Sequence, residues 1–206
     1  MPNYDLVIIG GGPAGMMAGF IASQNTNNKI LIIDRNKKLG RKLLLTGKGR
    51  CNITHNELDF KKMIKNYNQG GKFLYSGFSK FGVKETLKFF KDNGLDLKIE
   101  RGNRYFPGEG DSLSVVDFFE NNLKQKNVNI CYSSNVVKIN TKNKKIINIE
   151  LSDDRIIQAR NYIIATGGKS YPITGSDGSV FDLIKKLGHS ITDLTPALVP
   201  LICKEE

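Results

Sequence analysis

Apolar and polar positions along the chain change period several times, and each change marks an element. Tyr4-Asp5-Leu6-Val7-Ile8-Ile9 is a short apolar run that ends in glycines, which predicts a buried strand. A stretch bearing alanine and methionine opens near Pro13 and reads as a helix, and Ile30-Leu31-Ile32-Ile33 predicts a second buried strand closed by Asp34. Residues 35–55 are basic and punctuated by glycine. Their Leu43-Leu44-Leu45 is too short an apolar run to make a helix of its own, so the stretch reads as a functional loop.

Helical spacing returns at Phe60, Met63, Ile64 and Tyr67, and again at Val83, Leu87 and Phe90 before Gly94 supplies a stop. Leu95-Asp96-Leu97-Lys98-Ile99 alternates like a half-buried strand. Ser112 is placed to cap a helix that carries Val116, Phe119 and Leu123 on one face. From Asn129 the pattern turns to strands: Ile130-Cys131-Tyr132, then residues 136–139 and 146–151, with Lys142-Asn143-Lys144 as the polar turn between the last two. A β-meander is the economical arrangement. Tyr162-Ile163-Ile164-Ala165 then predicts a buried strand running into Thr166-Gly167-Gly168, and residues 180–187 are helical up to Gly188.

The first three elements form one unit with a chemical meaning. In Gly10-Gly11-Gly12-Pro13-Ala14-Gly15, Gly10 permits the tight turn out of the strand and Gly12 lets backbone approach a pyrophosphate. Gly15 allows the helix to lie close on the sheet. Pro13 donates no hydrogen bond in the first helical turn, where the free N–H groups and the positive dipole end would face phosphate. Asp34, at the tip of the second strand and followed by Arg35, is expected to accept from a ribose hydroxyl. Strand, glycine turn, helix and distal acid together make a dinucleotide-binding βαβ unit.

With 206 residues the chain is long enough for one domain or two small ones. Its 31 Lys and Arg against 20 Asp and Glu leave a net charge of +11, which favours anionic partners. The lysines are scattered through Asn-rich stretches with no arginine stripe interleaved with aromatics, so charge alone does not single out nucleic acid. Cys51, Cys131 and Cys203 are far apart and lack a CxxC pair or metal-ligand spacing, which fits a reducing compartment and no metal. The first strand begins almost at once and no apolar run approaches membrane-spanning length, so the expected location is the cytoplasm, without a membrane partner.

The order of glycine turn, acid, β-meander and Ala165-Thr166-Gly167 resembles the FAD-binding half of the two-dinucleotide-binding-domain flavoproteins. Two longer segments narrow the resemblance to the bacterial HI0933-like, or aminoacetone oxidase-like, flavoprotein family. One runs from Gly40 through Arg41, Lys42, Thr46, Gly47, Gly49, Arg50, Cys51 and Asn52 to Thr54, and the other from Gly167 and Gly168 to Gly178. Tyr105-Phe106-Pro107 and the closing Gly188-His189 and Pro196-Ala197-Leu198-Val199-Pro200 extend it over nearly the whole chain.

The resemblance implies an α/β protein of the three-layer ββα type. It would have an FAD-binding, Rossmann-like parallel sheet, a β-meander and an inserted small mixed α/β lobe. On that plan residues 1–55 hold the βαβ unit and flavin loop, 56–128 the lobe, 129–195 the meander and the return to the sheet, and 196–206 an exit toward a further domain. It also implies that the chain corresponds to an N-terminal part, since the family pattern continues through another β-rich domain. Lys48 departs from the pattern, which tends to keep a smaller residue between Gly47 and Gly49.

FAD is the implied cofactor, with NADH or NADPH as an electron donor. Residue chemistry agrees: Gly47, Gly49 and the small Thr46 open backbone to a flat ring, while Arg41, Lys42 and Arg50 offset pyrophosphate or reduced-flavin charge. Cys51 and Asn52 complete that loop, and a thiol packed under the ring is favoured over a redox role for Cys51, which has no resolving cysteine nearby. The family further implies backbone bonds from Val136 to adenine. Thr166, Gly167 and Gly168 would turn the chain beside the cofactor. Asp177 is assigned to helix capping.

The implied activity is an oxidoreductase passing hydride or electron pairs through flavin N5 to or from an unidentified small-molecule substrate. No side chain is singled out as general acid or base. An RNA-modifying flavoprotein and a cofactor-binding remnant without turnover stay open beside it, and the flavin loop argues against an enzyme that binds NAD alone. Oligomeric state has no signal in the sequence.

Overall fold

The computed structural model describes residues 3–24, 27–67 and 70–195; the exit segment with Pro196, Pro200 and Cys203 lies outside the described residues. The opening unit folds as expected into β1 (Tyr4–Ile9), α1 (Pro13–Ala22) and β2 (Ile30–Ile33). The stretch after it contains a short 3₁₀ segment, Leu43–Gly49, broken at Thr46, Gly47 and Lys48. Its leucines thus do start a helical turn, because Leu43 is buried among core residues.

A lobe follows, made of β3 (Thr54–His55), α2 (Phe60–Lys65), a 3₁₀ turn at Gly71–Leu74, α3 (Tyr75–Lys80), α4 (Val83–Asp92), β4 (Leu97–Glu100) and β5 (Arg104–Pro107). Strands β3, β5 and β4 form a small antiparallel sheet in that order. Periodicity had no grip on α3 or β5, which are short and lack a repeated apolar face. Next comes α5 (Ser112–Gln125), whose cap is Asp111 rather than Ser112. Asp111 Oδ1 accepts from the Leu113 N–H at 2.8 Å, while the Ser112 hydroxyl donates to the Leu44 carbonyl at 3.0 Å.

The remaining elements are β6 (Asn129–Cys131), β7 (Val136–Lys142), β8 (Lys145–Leu151), β9 (Ile156–Ile157), β10 (Ala159–Ile164) and α6 (Val180–Lys186). The meander consists of β7, β8 and β9, and its first turn places Asn143 and Lys144 at φ 52° and 60°, the pair of positive values that a two-residue hairpin requires. Strand β6, which the sequence suggests as the first strand of the meander, instead pairs in parallel with β2. The main sheet therefore runs β10-β1-β2-β6, all parallel.

Both faces of this sheet are covered, which explains why its inner strands are apolar without alternation. Ile8, Ile30 and Ile32 pack with Met16 and Phe20 of α1 and Leu123 of α5. Val7, Ile9, Leu31 and Ile33 point the other way, into a core shared with Val136, Ile149 and Leu151 of the meander. Helices, parallel sheet and meander are the three layers of a ββα fold. Phe89 and Phe90 of α4 join the lobe to the helical layer through Phe20, Phe118 and Phe119, with the Phe20 and Phe89 ring centroids 4.9 Å apart, edge to face.

Candidate functional site

Strands β2 and β6 lie on one side of β1 and β10 on the other, so the sheet order reverses beside β1. Ligands of open α/β sheets bind at such a point, beyond the carboxyl ends of the strands. A cavity of about 320 Å³ opens there. Its lining gathers Gly10, Gly12, Pro13, Ala14, Asp34, Arg35, Arg41, Lys42, Val136, Thr166, Gly167 and Gly168 from among the residues singled out in the sequence.

The glycines of the turn divide by what surrounds them. Gly10 has φ 104°, and a Cβ there would stand 2.6 Å from the Ala165 carbonyl oxygen, so this glycine joins β1 to the end of β10. A Cβ on Gly15 would stand 1.9 Å from the Gly10 carbonyl oxygen, which makes Gly15 a packing residue rather than a lining one. At Gly12, by contrast, nothing lies within 4 Å of an added Cβ, and the same is true of Gly168. Both open onto the cavity. No side chain caps α1 at Gly12, so the N–H groups of its first turn have no side-chain acceptor.

Asp34 is 8% exposed and already engaged. Its Oδ2 accepts from the Gly11 N–H at 2.7 Å, and its Oδ1 accepts from the Asn36 backbone N–H at 2.7 Å and the Asn36 side-chain amide at 3.0 Å. The carboxylate thus braces the glycine turn against the end of β2.

Three cations rim the cavity. Arg35 pairs with Asp177 at 2.7 Å, Arg41 donates to the Asn36 side-chain oxygen at 3.2 Å, and Lys42 donates to the hydroxyls of Ser170 and Ser176. Arg41 and Lys42 have no carboxylate partner among the described residues, so their charge is free to meet an anion.

Asn36, Ser134 and residues 174–179 also line the cavity; the sequence gives none of them a cofactor contact, although residues 174–178 belong to the second matching segment. Gly175 and Gly178 take φ 99° and 82° in this segment, values that favour glycine. Asp177 does not cap α6, whose cap residue is Ser179 and carries no side-chain cap bond; its Oδ1 accepts from the Ser179 N–H at 2.9 Å just before the helix, while its other oxygen holds Arg35. Hydrogen bonds from Ser179, backed by the Arg35 guanidinium, hold its carboxyl well below the usual carboxylate range. A carboxyl depressed in the folded state stabilises the fold above its unfolded value of about 3.9, and that contribution fades as pH falls through the window below it. Asp177→Asn is therefore expected to lower the urea midpoint at pH 7, with the gap from the parent narrowing progressively below about pH 4. A gap that stays constant across the titration would refute this.

Thr46, Gly47, Gly49, Arg50, Cys51 and Asn52 are not part of this cavity's lining. Gly47 and Arg50 lie against Phe106 of the small sheet. The Arg50 guanidinium lies 4.5 Å from the centre of the Phe106 ring and pairs with Glu100 at 2.5 Å, and the Thr46 hydroxyl donates to the Leu43 carbonyl at 2.7 Å. Cys51 is buried in the core with φ 59°. Burial pushes its thiol above the ordinary value, the neighbouring Thr46 side chain only partly offsetting it, and that disfavours the reactive thiolate.

Comparison with known proteins adds to this geometry. The family model described as "HI0933-like protein Rossmann domain" matches residues 4–200. The 3-dehydro-bile acid delta(4,6)-reductase of Clostridium scindens is 32% identical over 199 residues, which are 96% of this chain and 47% of the relative. A ribosomal RNA dihydrouridine synthase of Escherichia coli is 26% identical over 200 residues, 97% of this chain and 48% of the relative. The chain thus spans about half the length of the curated relatives it matches.

Among solved structures, a 3-ketosteroid-delta4-(5alpha)-dehydrogenase from Rhodococcus jostii has a TM-score of 0.71 at 15% identity, covering 92% of this chain and 55% of that one. The Thermovibrio ammonificans THI4 structure has a TM-score of 0.61 at 13% identity, covering 91% and 63%. These two likenesses establish the Rossmann-like fold. Among the described residues no helix is long and apolar enough to cross a membrane.

Proposed function

This chain belongs to the HI0933-like Rossmann-domain family, and from that membership we propose that it binds FAD and is the cofactor-holding part of a flavin-dependent oxidoreductase. The observation that carries the reading is the cavity at the reversal of strand order. Gly12 and Gly168 leave backbone open there, the α1 N-terminus carries no side-chain cap, and Arg41 and Lys42 have charge to spare. A pyrophosphate fits that donor set. Val136, at the head of β7, also lines the cavity, and a backbone contact to adenine would form there.

FAD, when bound, supplies the two-electron chemistry at flavin N5. The protein's own share is to bind and orient: Asp34 holds the glycine turn, Arg41 and Lys42 offset phosphate charge, and residues 166–168 turn the chain away from the cofactor. The segment from Thr46 to Asn52 lies outside the cavity lining, and contact with the flavin is proposed for it on the family resemblance. Read as chemistry, the names of both curated relatives describe adding hydrogen across a carbon–carbon double bond. Reduction of a conjugated alkene, with NADH or NADPH as the donor, is accordingly the reaction we assign to the whole protein, in the cytoplasm.

The test is the visible spectrum of the protein after incubation with FAD and desalting, with the released cofactor identified by chromatography. Flavin absorbance at close to one equivalent of FAD per chain is the expected result. A colourless protein would refute FAD retention by this chain.

A further inference from the structure

The charge of this chain is not spread evenly. Between residues 60 and 81 there are five lysines, Lys61, Lys62, Lys65, Lys72 and Lys80, and no Asp or Glu. All five are exposed, and none makes an ion pair among the described residues. The same segment, α2 through α3, has no buried residue among the described ones and is held by its own ring contacts, Phe60 on Tyr75 at 5.1 Å and Tyr67 near Phe78 at 6.0 Å. Phe73 is 88% exposed and touches no other ring among the described residues. None of these residues lines the cavity beside β1.

We propose that the α2–α3 segment is a docking face for single-stranded RNA, with backbone phosphates on its lysines and a base stacked on Phe73. Charge complementarity selects a polyanion: five exposed, unpaired lysines with no acid among them repel basic partners, and neutralising phosphates with them releases the counterions condensed on the polyanion. The exposed ring selects unpaired bases, whose faces are available to stack, over a duplex, whose faces are not. An anionic membrane would share the charge but needs a broad apolar helix face. Here α2 and α3 have six residues each, and their apolar Met63, Ile64 and Phe78 are half-buried within the lobe. The proposal does not rest on the flavin reading.

Fluorescence anisotropy of a labelled oligouridylate of about 16 nucleotides, titrated with the full chain, tests it. Binding is expected to weaken steeply between about 50 and 200 mM salt. The variant Lys61→Gln, Lys62→Gln, Lys65→Gln, Lys72→Gln should lose at least about tenfold at low salt, and its log–log salt slope should flatten by about 0.7 for each phosphate contact removed. Phe73→Ala should weaken binding about five- to a hundredfold with the slope unchanged, a signature of stacking that a purely electrostatic face would not show. Absorbance of bound FAD in the same samples reports separately on the cofactor site. No binding at low salt, affinity unchanged in either variant, or capture of phosphatidylserine vesicles without the oligonucleotide would each overturn the proposal.

Discussion

Gly12→Glu is expected to abolish FAD retention while leaving the apoprotein folded. The backbone at Gly12 has φ −75° and ψ −178°, an extended conformation that any residue adopts, and an added Cβ meets nothing within 4 Å. No protein contact opposes the substitution, so the cost to the empty fold should stay within about 1 kcal/mol, the scale of a helix-cap change. The space that the side chain enters is the space proposed for the pyrophosphate. A carboxylate placed there brings both bulk and like charge, and like charges in contact cost several kcal/mol, so affinity should fall more than about a hundredfold. The check is flavin absorbance of the desalted variant beside its urea midpoint. Unchanged FAD binding would sink the site assignment, and a collapsed midpoint would show that Gly12 is structural after all.

The opposite pattern is expected three residues on. In a helix alanine is better than glycine by about 1 kcal/mol, so Gly15→Ala would be stabilising if helix propensity decided it. It does not decide it here, because the new Cβ would stand 1.9 Å from the Gly10 carbonyl oxygen and 3.3 Å from the Ile8 side chain. The first of these atoms belongs to backbone that is itself held, since the Gly10 N–H donates to the Ile33 carbonyl at 2.8 Å. Relief requires α1 to lift from β1, an overpacking cost of about 1–3 kcal/mol or more that falls at the upper end when no side chain can turn away. A net destabilisation of roughly 2 kcal/mol, read as a lower urea midpoint of the apoprotein, is the expected result. A midpoint equal to or above that of the parent would show that the turn is looser than the structure draws it. Together the two glycines separate a residue needed by the ligand from one needed by the fold.

Much of this was legible in the amino-acid sequence. The β1–α1–β2 unit, strands β7 and β8 of the meander, the helices α4, α5 and α6 and the family itself follow from local period, glycine spacing and two long matching segments, whereas the two-residue β9 was too short to show. Such signals are local: a strand's apolar run or a turn's glycine acts on its immediate neighbours in the chain. What escaped were facts about partners distant in sequence. Nothing in Ile130-Cys131-Tyr132 states that β6 pairs with β2 rather than with the meander, because a short apolar strand suits either place. Likewise the sequence offers Asp34 as a ribose acceptor, but that it also holds the Gly11 and Asn36 N–H groups is visible only in the fold. Arg35 is one more basic residue until Asp177 arrives from 142 positions away.

The same distance divides the candidate site. Glycine chemistry alone marks the turn between β1 and α1 as a place for phosphate. The glycine spacing already separates Gly12, open to the phosphate, from Gly15, packed where the helix meets the sheet, and the structure agrees; tertiary structure alone decides that residues 174–179 line the cavity and that Thr46–Asn52 does not. The physical reason is that sequence period reports which residues seek burial, whereas which neighbour buries them, and what is left open for a ligand, depends on layers assembled from the whole chain.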